Sequence, residues 1–189
     1  MKSPLSFFRL QSFVWVPVLL FSAIAAKAQV VPAGVQGSSE LDVFLMYKYT
    51  NPDLIYSPDQ GISYGAEYKL RPIRFVQPGL AIRGEDDFTS KYVRWHIYSG
   101  GPQFHFASSG RLSPYAGILF GLAPASFRGG LKDTATDVQI GGGATFKVIH
   151  HFSAIADYQY HFVDFGTHLG VDTTFTPWSF SVGVQYRIF

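Results

Sequence analysis

The stretch FSVGVQYRIF, residues 180–189, decides the fold. Large apolar side chains occupy its even positions from 180 to 188, whereas polar or small side chains occupy the odd positions from 181 to 187. Successive side chains of a β-strand point to opposite faces, so this alternation predicts an extended strand with one apolar and one polar face. Such a strand must lie between two different media.

The composition of the whole chain indicates an exported envelope protein. Its 189 residues are the size of one domain with a core. Aromatic residues make up 17% and charged residues only 15%, against roughly 25% charged in typical globular domains. The absence of cysteine fits a protein that crosses into an oxidising compartment without a disulfide framework.

Residues 1–28 are predicted to be a signal peptide. Lys2 and Arg9 precede an apolar run over 13–25, and an Ala-Lys-Ala cleavage site ends at Ala28. A transmembrane anchor is the alternative, but it needs about 20 apolar residues. Removal of the segment takes away three of the 15 Lys and Arg and none of the 13 acids, so the net charge changes from +2 to −1. No basic patch then remains to bind nucleic acid.

Residues 29–39 are a short N-terminal segment, and 40–189 are the predicted domain. Apolar and polar residues alternate with period two through this domain, and no run approaches the roughly 18 apolar residues of a membrane helix. The eight predicted strands are 41–49, 62–71, 75–83, 92–106, 113–123, 138–148, 152–162 and 180–189.

The fourth predicted strand changes phase along its length. Trp95 and Ile97 are odd-numbered apolar residues, whereas Phe104 and Phe106 are even-numbered. A β-bulge at 99–102, which contains two glycines and a proline, accounts for the extra residue. The alternative is that two shorter elements meet there.

The connections between predicted strands alternate in length. Short connections are expected at 72–74, 107–112 and 149–151, and long polar ones at 50–61, 84–91, 124–137 and 163–177. Short turns at one end and long loops at the other are typical of an all-β, eight-stranded, antiparallel up-and-down barrel that spans the outer membrane. An even number of strands places both termini of the barrel at the short-turn, periplasmic end.

Charged residues of both signs occur on the polar face, together with glycine. The interior of an eight-stranded barrel is just filled by side chains, so these charges are predicted to pair inside it, with Glu67 and Asp157 near its middle. The candidates for lumen ion pairs are Asp42, Glu67, Lys69, Arg83, Lys147, Asp157 and Arg187. Some of them, Arg187 included, can instead lie at strand ends in water.

Aromatic residues of the apolar face cluster towards the strand ends. Two rings of aromatics at two membrane interfaces are the girdle pattern of outer-membrane barrels, although scattered core aromatics are an alternative. The candidates are Tyr47, Tyr49, Tyr64, Tyr160 and Trp178 at the long-loop end, and Phe104, Phe106, Phe152 and Tyr186 at the short-turn end. The competing fold is a secreted lipocalin-like barrel that binds apolar ligands, in which Tyr64, Ala66 and Tyr68 would point inward.

Several motifs resemble the OmpA-like and OmpX-like outer-membrane β-barrel domain family over about residues 36–189. They are Gly101-Pro102-Gln103-Phe104, Ser113-Pro114-Tyr115-Ala116 with Phe120-Gly121, Gly141-Gly142-Gly143, and Gly183-Val184-Gln185-Tyr186-Arg187. The resemblance implies a barrel without a peptidoglycan-binding domain. Its implied partners are outer-membrane lipids, lipopolysaccharide and, through the C-terminal strand, the barrel assembly machinery. Phe189 is one residue out of phase with the apolar face, so either the chain end turns or a terminal bulge restores the register.

Some barrels of this size hydrolyse lipid A or phospholipids, and His151-Phe152-Ser153 has the His-x-Ser spacing of the lipid A deacylase barrels. No suitably placed Glu follows, however, and aligning the chain by its tyrosines puts Phe162 and Asp164 where the His-Ser pair should lie. The glycines at 141–143 are not followed by a helix, which excludes a phosphate loop. No metal site or cofactor is predicted.

We therefore predict a non-enzymatic barrel with a filled lumen and a structural or surface-interaction role through four extracellular loops. Two loops carry side chains suited to contact a surface partner or lipopolysaccharide headgroups, unless they pack on the barrel rim. These side chains are Leu54, Ile55 and Tyr56 in one loop, and Phe127, Arg128 and Lys132 in the other.

Overall fold

The computed structural model describes residues 39–51, 58–88, 93–106, 110–127, 130, 132–168 and 171–189. The predicted signal peptide with its cleavage site at Ala28, the segment up to residue 38, and the loop residues Leu54, Ile55, Tyr56 and Arg128 lie outside these ranges. Within them, no helix is long and apolar enough to cross a membrane.

Nine strands form one antiparallel sheet that closes on itself. They are β1 (Glu40–Asn51), β2 (Asp59–Lys69), β3 (Val76–Asp87), β4 (Val93–Phe106), β5 (Leu112–Phe127), β6 (Lys132–Lys147), β7 (Phe152–His168), β8 (Val171–Phe175) and β9 (Trp178–Arg187). Each of β1 to β7 pairs with the next, β7 also pairs with β9, and β9 pairs with β1. The predicted barrel is thus confirmed.

Strands β8 and β9 are two parts of one barrel strand, so the wall has eight strands. The register of β9 on β7, which pairs Tyr160 with Trp178, continues into β8, where Val163 pairs with Phe175. Between them the His161 amide donates to the Pro177 carbonyl at 2.9 Å. Proline has no amide proton, so Pro177 interrupts the ladder without shifting its register.

A β-bulge ends the closing strand. The Ile188 amide donates to the Leu41 carbonyl at 2.8 Å, and the Leu41 amide donates to the Phe189 carbonyl at 3.1 Å. Two residues therefore oppose one, which is the definition of a bulge. Ile188 and Phe189 are both exposed, so the bulge is the alternative that the structure favours for the out-of-phase Phe189.

The apolar face of the strands points outward. Tyr68 is 41% exposed, whereas its neighbours Glu67 and Lys69 are each 4% exposed. The outward apolar stretches, such as 152–162, have the roughly 9–11 residues that a tilted strand needs to cross the hydrocarbon core. The lipocalin-like alternative, which needs the opposite orientation, is wrong.

The predicted bulge in β4 is also wrong. The register of β4 on β3 runs without a shift from Val76 opposite Phe106 to Asp86 opposite His96. Trp95 and Ile97 therefore share the inner face with the polar residues of β4, and both are buried. The phase change in the sequence reflects a change of surroundings along one regular strand.

Two of the four predicted long loops, 124–137 and 163–177, are largely strand. Strands β5, β6 and β7 continue four to six residues beyond the apolar band, and β8 extends alongside β7. We call these strand ends, together with the start of β4, the extension. Its inner face is an apolar cluster of Trp95, Ile97, Ala123, Ala125, Ala135, Val163 and Phe165, which we call the cap. Outside the bilayer an apolar interior is again favourable, because the outer face meets water.

Candidate functional site

The barrel interior is the candidate functional site, because charged side chains are buried there. These residues lie at three levels beneath the cap. At the short-turn end, Lys69 Nζ lies 2.6 Å from Asp42 Oδ2, and Gln185 donates to the same oxygen at 2.6 Å. Arg187 reaches Glu40 at 2.6 Å and Asp42 at 3.4 Å. This level ties β1, β2 and β9 together across the closing seam.

A histidine links this level to the next. His105 Nε2 lies 2.5 Å from Glu67 Oε1, and Lys69 lies 4.0 Å from the other oxygen of Glu67. The rings of His105 and Tyr115 are 5.2 Å apart. The inward side chains of β2, β4 and β5 are thereby in contact across the lumen.

Arg83 and Asp157 form the middle level. Two guanidinium nitrogens of Arg83 donate to the two carboxylate oxygens of Asp157 at 2.9 and 3.1 Å. The Tyr115 hydroxyl donates to Asp157 Oδ2 at 2.6 Å, and the Phe44 ring packs 5.4 Å from the guanidinium carbon. Such a planar, bidentate pair is the strongest geometry for an ion pair in proteins.

The third level lies directly under the cap. Lys48 Nζ is 2.9 Å from both Glu85 Oε2 and Asp87 Oδ1. His161 Nδ1 lies 3.3 Å from Asp137 Oδ2, and its Nε2 lies 3.2 Å from the Ser179 hydroxyl. A cavity of about 20 Å³ beside Lys48 and His161 is bounded above by Trp95 and Ile97 and has room for about one water molecule.

Carboxylates outnumber cations in this interior. Seven buried acids, counted among the described residues, face three buried Lys and Arg side chains. The acids are Asp42, Asp59, Glu67, Glu85, Asp87, Asp137 and Asp157, and the cations are Lys48, Lys69 and Arg83. No group of His, Cys, Asp or Glu within the described ranges has the arrangement of a metal site. The interior is therefore acidic, crowded and cross-linked between strands.

Six of the seven candidate ion-pair residues belong to these levels. Lys147 does not: it is exposed at the short-turn end of β6, with no ion pair among the described residues. Lys48, which is not among these candidates, is also buried, at 1% exposure. Sequence reasoning also missed His105, Tyr115 and His161, whose only signal was their place on the inner parity of predicted strands. It missed Glu85 as well, which lies in the predicted loop 84–91.

A scan against protein-family models identifies the chain. The model described as outer membrane protein beta-barrel domain matches residues 16–187. The chain belongs to this outer membrane barrel family. No curated protein matches the chain.

Solved structures of outer membrane barrels are similar in fold. Neisserial surface protein A is 16% identical, with a TM-score of 0.54, and the match covers 79% of this chain and 97% of that one. Ail, the attachment invasion locus protein of Yersinia pestis, is 17% identical, with a TM-score of 0.53 and coverage of 82% and 100%. The N-terminal barrel domain of Pseudomonas aeruginosa OprF is 16% identical, with a TM-score of 0.55 and coverage of 81% and 100%. At these identities the likeness concerns the fold.

The candidate interface aromatics of this outer membrane barrel all lie on its outer face. At the long-loop end, Trp178 stacks on Tyr158 with ring centroids 5.9 Å apart and lies 6.1 Å from Tyr49. At the short-turn end, Phe152 and Tyr186 are 4.9 Å apart. Exposed or half-buried on the same face are Tyr47, Tyr64, Tyr160, Phe104 and Phe106. That these two levels mark the two membrane interfaces stays a prediction.

The His-x-Ser motif is not brought together. His151 is exposed in the β6–β7 turn, where its Nδ1 lies 3.1 Å from the Arg187 carbonyl oxygen, and Ser153 has the inward parity of β7. On the outer face, above the apolar band, His96 Nδ1 lies 2.5 Å from Asp86 Oδ1, and the Tyr64 hydroxyl donates to Asp86 Oδ2 at 3.3 Å. No nucleophilic side chain is in hydrogen-bond contact with His96 in the described chain.

The glycines at 141–143 make room in the wall. A Cβ on Gly143 would collide with the Ala156 carbonyl oxygen, and one on Gly141 would collide with the Gln159 side chain, which donates to Asp157 at 3.1 Å. These glycines therefore let a neighbouring strand approach closely and let an interior side chain reach its partner.

Proposed function

We propose that this outer membrane barrel is a non-enzymatic envelope protein with a closed interior, which acts through its extension on the outside of the cell. The observation that carries the proposal is the combination of a cross-linked, charged interior with an apolar cap above it. Arg83 and Asp157 bridge the lumen between β3 and β7, on opposite sides of the wall. An eight-stranded barrel has an interior just filled by side chains, and open channels need about 16 strands.

The surface role is supported by the extension. Its strands have an apolar core of their own, so they present a supported, folded surface above the membrane. Arg94 and Lys132 are exposed on its outer face, where cations complement the phosphates of lipopolysaccharide headgroups. The name of Ail refers to attachment and invasion, a role that belongs to that protein.

Export and assembly complete the proposal. The predicted signal peptide sends the chain across the inner membrane, with cleavage after Ala28. The closing strand β9, with Phe180 and Tyr186 exposed on its outer face and Phe189 exposed just beyond its end, is the segment that we propose the assembly machinery recognises.

An enzymatic role is not favoured by the arrangement of its residues. A lipid hydrolase needs a nucleophile in contact with a general base. The Asp86–His96 pair has the base and its partner but no nucleophile in contact with it among the described residues, and His151 and Ser153 lie on different surfaces.

The test is reconstitution of the mature chain into planar bilayers that carry lipopolysaccharide in one leaflet. We expect no stable conductance steps and no release of acyl chains, while a 16-stranded porin in the same bilayers conducts. Stable single-channel steps from the purified chain would overturn the closed interior. Release of acyl chains that stops in His96→Ala would overturn the non-enzymatic role.

A further inference from the structure

The β2–β3 turn contains an arginine in a backbone conformation that is strained for a residue with a side chain. The Ile73 amide donates to the Val76 carbonyl at 2.7 Å, and the Val76 amide donates to the Ile73 carbonyl at 3.1 Å. Arg74, at the first position of this two-residue loop, has a φ of 56° and is the only non-glycine residue with a positive φ in the described chain. Glycine adopts this conformation without steric strain and is preferred there in hairpins. An arginine in its place points to a role for the side chain.

The same turn exposes large apolar side chains. Ile73 is 68% and Phe75 is 54% exposed, on either side of Arg74. Arg71 and Arg74 are exposed and form no ion pair with a described residue. The tip therefore combines two guanidinium groups with two apolar side chains that are more than half exposed.

Positive charge predominates at this whole end of the barrel. Arg71, Arg74, Arg111 and Lys147 are exposed there. The acidic side chains at this end do not offset these exposed cations. Asp42 and Glu67 are buried in the interior, and Glu40 is paired with Arg187 at 2.6 Å. No acidic residue precedes Glu40 in the chain. The short-turn rim is thus cationic, whereas the interior behind it is acidic.

We propose that the β2–β3 turn is a binding site for the phosphate group of anionic phospholipids in the adjacent, periplasmic leaflet. Leu70, at the lower edge of the apolar band, is exposed on the outer face, so the turn that follows lies at headgroup depth. There Ile73 and Phe75 enter the boundary with the acyl chains, while Arg74 donates two parallel hydrogen bonds to a phosphate. The contact with lipid offsets the strain of Arg74.

The experiment uses the mature chain in nanodiscs of phosphatidylcholine doped with phosphatidylglycerol and counts retained phosphatidylglycerol by native mass spectrometry. In Arg74→Gln we expect the association constant for phosphatidylglycerol to fall about fivefold, which is the effect of one basic residue near an anionic surface. Arg74→Lys keeps the charge but lacks the planar guanidinium that donates two parallel hydrogen bonds, so its association constant should lie between those of the native chain and Arg74→Gln. High salt should remove the difference between the variants.

Two controls separate this site from general attraction and from a structural role. Arg111→Gln removes one exposed charge from the same rim, at the β4–β5 connection, and should leave phosphatidylglycerol binding nearly unchanged. Arg74→Gly relieves the backbone strain, so it should raise the unfolding midpoint in pure phosphatidylcholine while still losing the lipid.

The proposal is overturned if Arg111→Gln and Arg74→Gln lose phosphatidylglycerol equally, or if Arg74→Gly keeps it. It is overturned as well if lipopolysaccharide, rather than phosphatidylglycerol, is the lipid whose binding depends on Arg74. Inorganic phosphate added to pure phosphatidylcholine discs should not be retained; its retention through Arg74 would indicate a free-anion site and overturn the assignment to lipid.

Discussion

Arg83 is the residue on which the interior is centred. It is 4% exposed, and its guanidinium group contacts Asp157 at two points and the Phe44 ring at a third. A buried charge that loses its partner is strongly destabilising, because the desolvation penalty remains while the attraction is gone. The stability of the barrel should therefore depend on both members of this pair more than on any rim charge.

Asp157→Ala is expected to lower the free energy of unfolding by ~3–5 kcal/mol, since it strands the Arg83 charge and removes the acceptor of Tyr115. Equilibrium urea unfolding in lipid vesicles measures the loss. Arg83→Met/Asp157→Leu, which removes both charges, should recover most of it. Arg187→Ala is the matched control: its side chain is 35% exposed, so its ion pairs should contribute at most about 1 kcal/mol. Equal losses in Asp157→Ala and Arg187→Ala would contradict this account.

At the scale of the elements, β4 passes between two media without a change in its geometry. Inside the membrane its inner residues are polar, as in Ser99, Gln103 and His105, and its outer residues are apolar. In the extension its inner residues Trp95 and Ile97 are apolar, while the outer residue Arg94 is exposed. Strand β7 changes in the same way between Phe162, which faces out, and Val163, which is buried.

The two tryptophans of the mature chain report this difference directly. In Trp95→Phe the remaining Trp178 faces outward at the interface, so brominated phospholipids should quench its fluorescence strongly. In Trp178→Phe the remaining Trp95 lies inside the cap at 7% exposure, and quenching should be weak. Strong quenching of Trp95 would mean that β4 carries the predicted bulge after all.

For the whole molecule, three zones follow one another along the barrel axis. The short-turn rim is cationic, the membrane zone has an apolar outside and a charged inside, and the extension has a polar outside and an apolar inside. Strand closure makes this order possible, because every inward side chain meets others from across the lumen. The proposed orientation in the envelope places the short turns on the periplasmic side and the extension outside the cell.

Since the chain has no cysteine, single cysteines can map this order in intact cells. Ser126→Cys, on the outer face of the extension, should react with a membrane-impermeant maleimide added to whole cells. Gly110→Cys, in the β4–β5 connection where an added Cβ meets nothing within 4 Å, should react only after the outer membrane is permeabilised. Leu80→Cys, 60% exposed on the apolar band, should resist the reagent in both cases because lipid covers it. The reverse pattern for Ser126→Cys and Gly110→Cys would invert the proposed orientation.

The alternation in FSVGVQYRIF and in its counterparts was enough to predict eight strands with two different faces, whereas their antiparallel order was predicted from the connection lengths and the lipid-facing side from the charged and aromatic residues. Side-chain alternation is a local property of an extended backbone, so it can be read from neighbouring residues alone. The charges of the polar face could be chosen as interior residues for the same reason. Even the two possible fates of Phe189 could be stated in advance from its parity.

Only the tertiary structure decided which charges meet and where the surroundings change. Arg83 and Asp157 are 74 residues apart, and their contact depends on the stagger at which the closed sheet brings β3 and β7 to face each other. The apolar side chains of the extension have the same period as those that face lipid, so parity alone could not place Trp95 inside. The alternation determines that a strand has two faces. The medium outside each face depends on how the strands close and how far they extend beyond the bilayer.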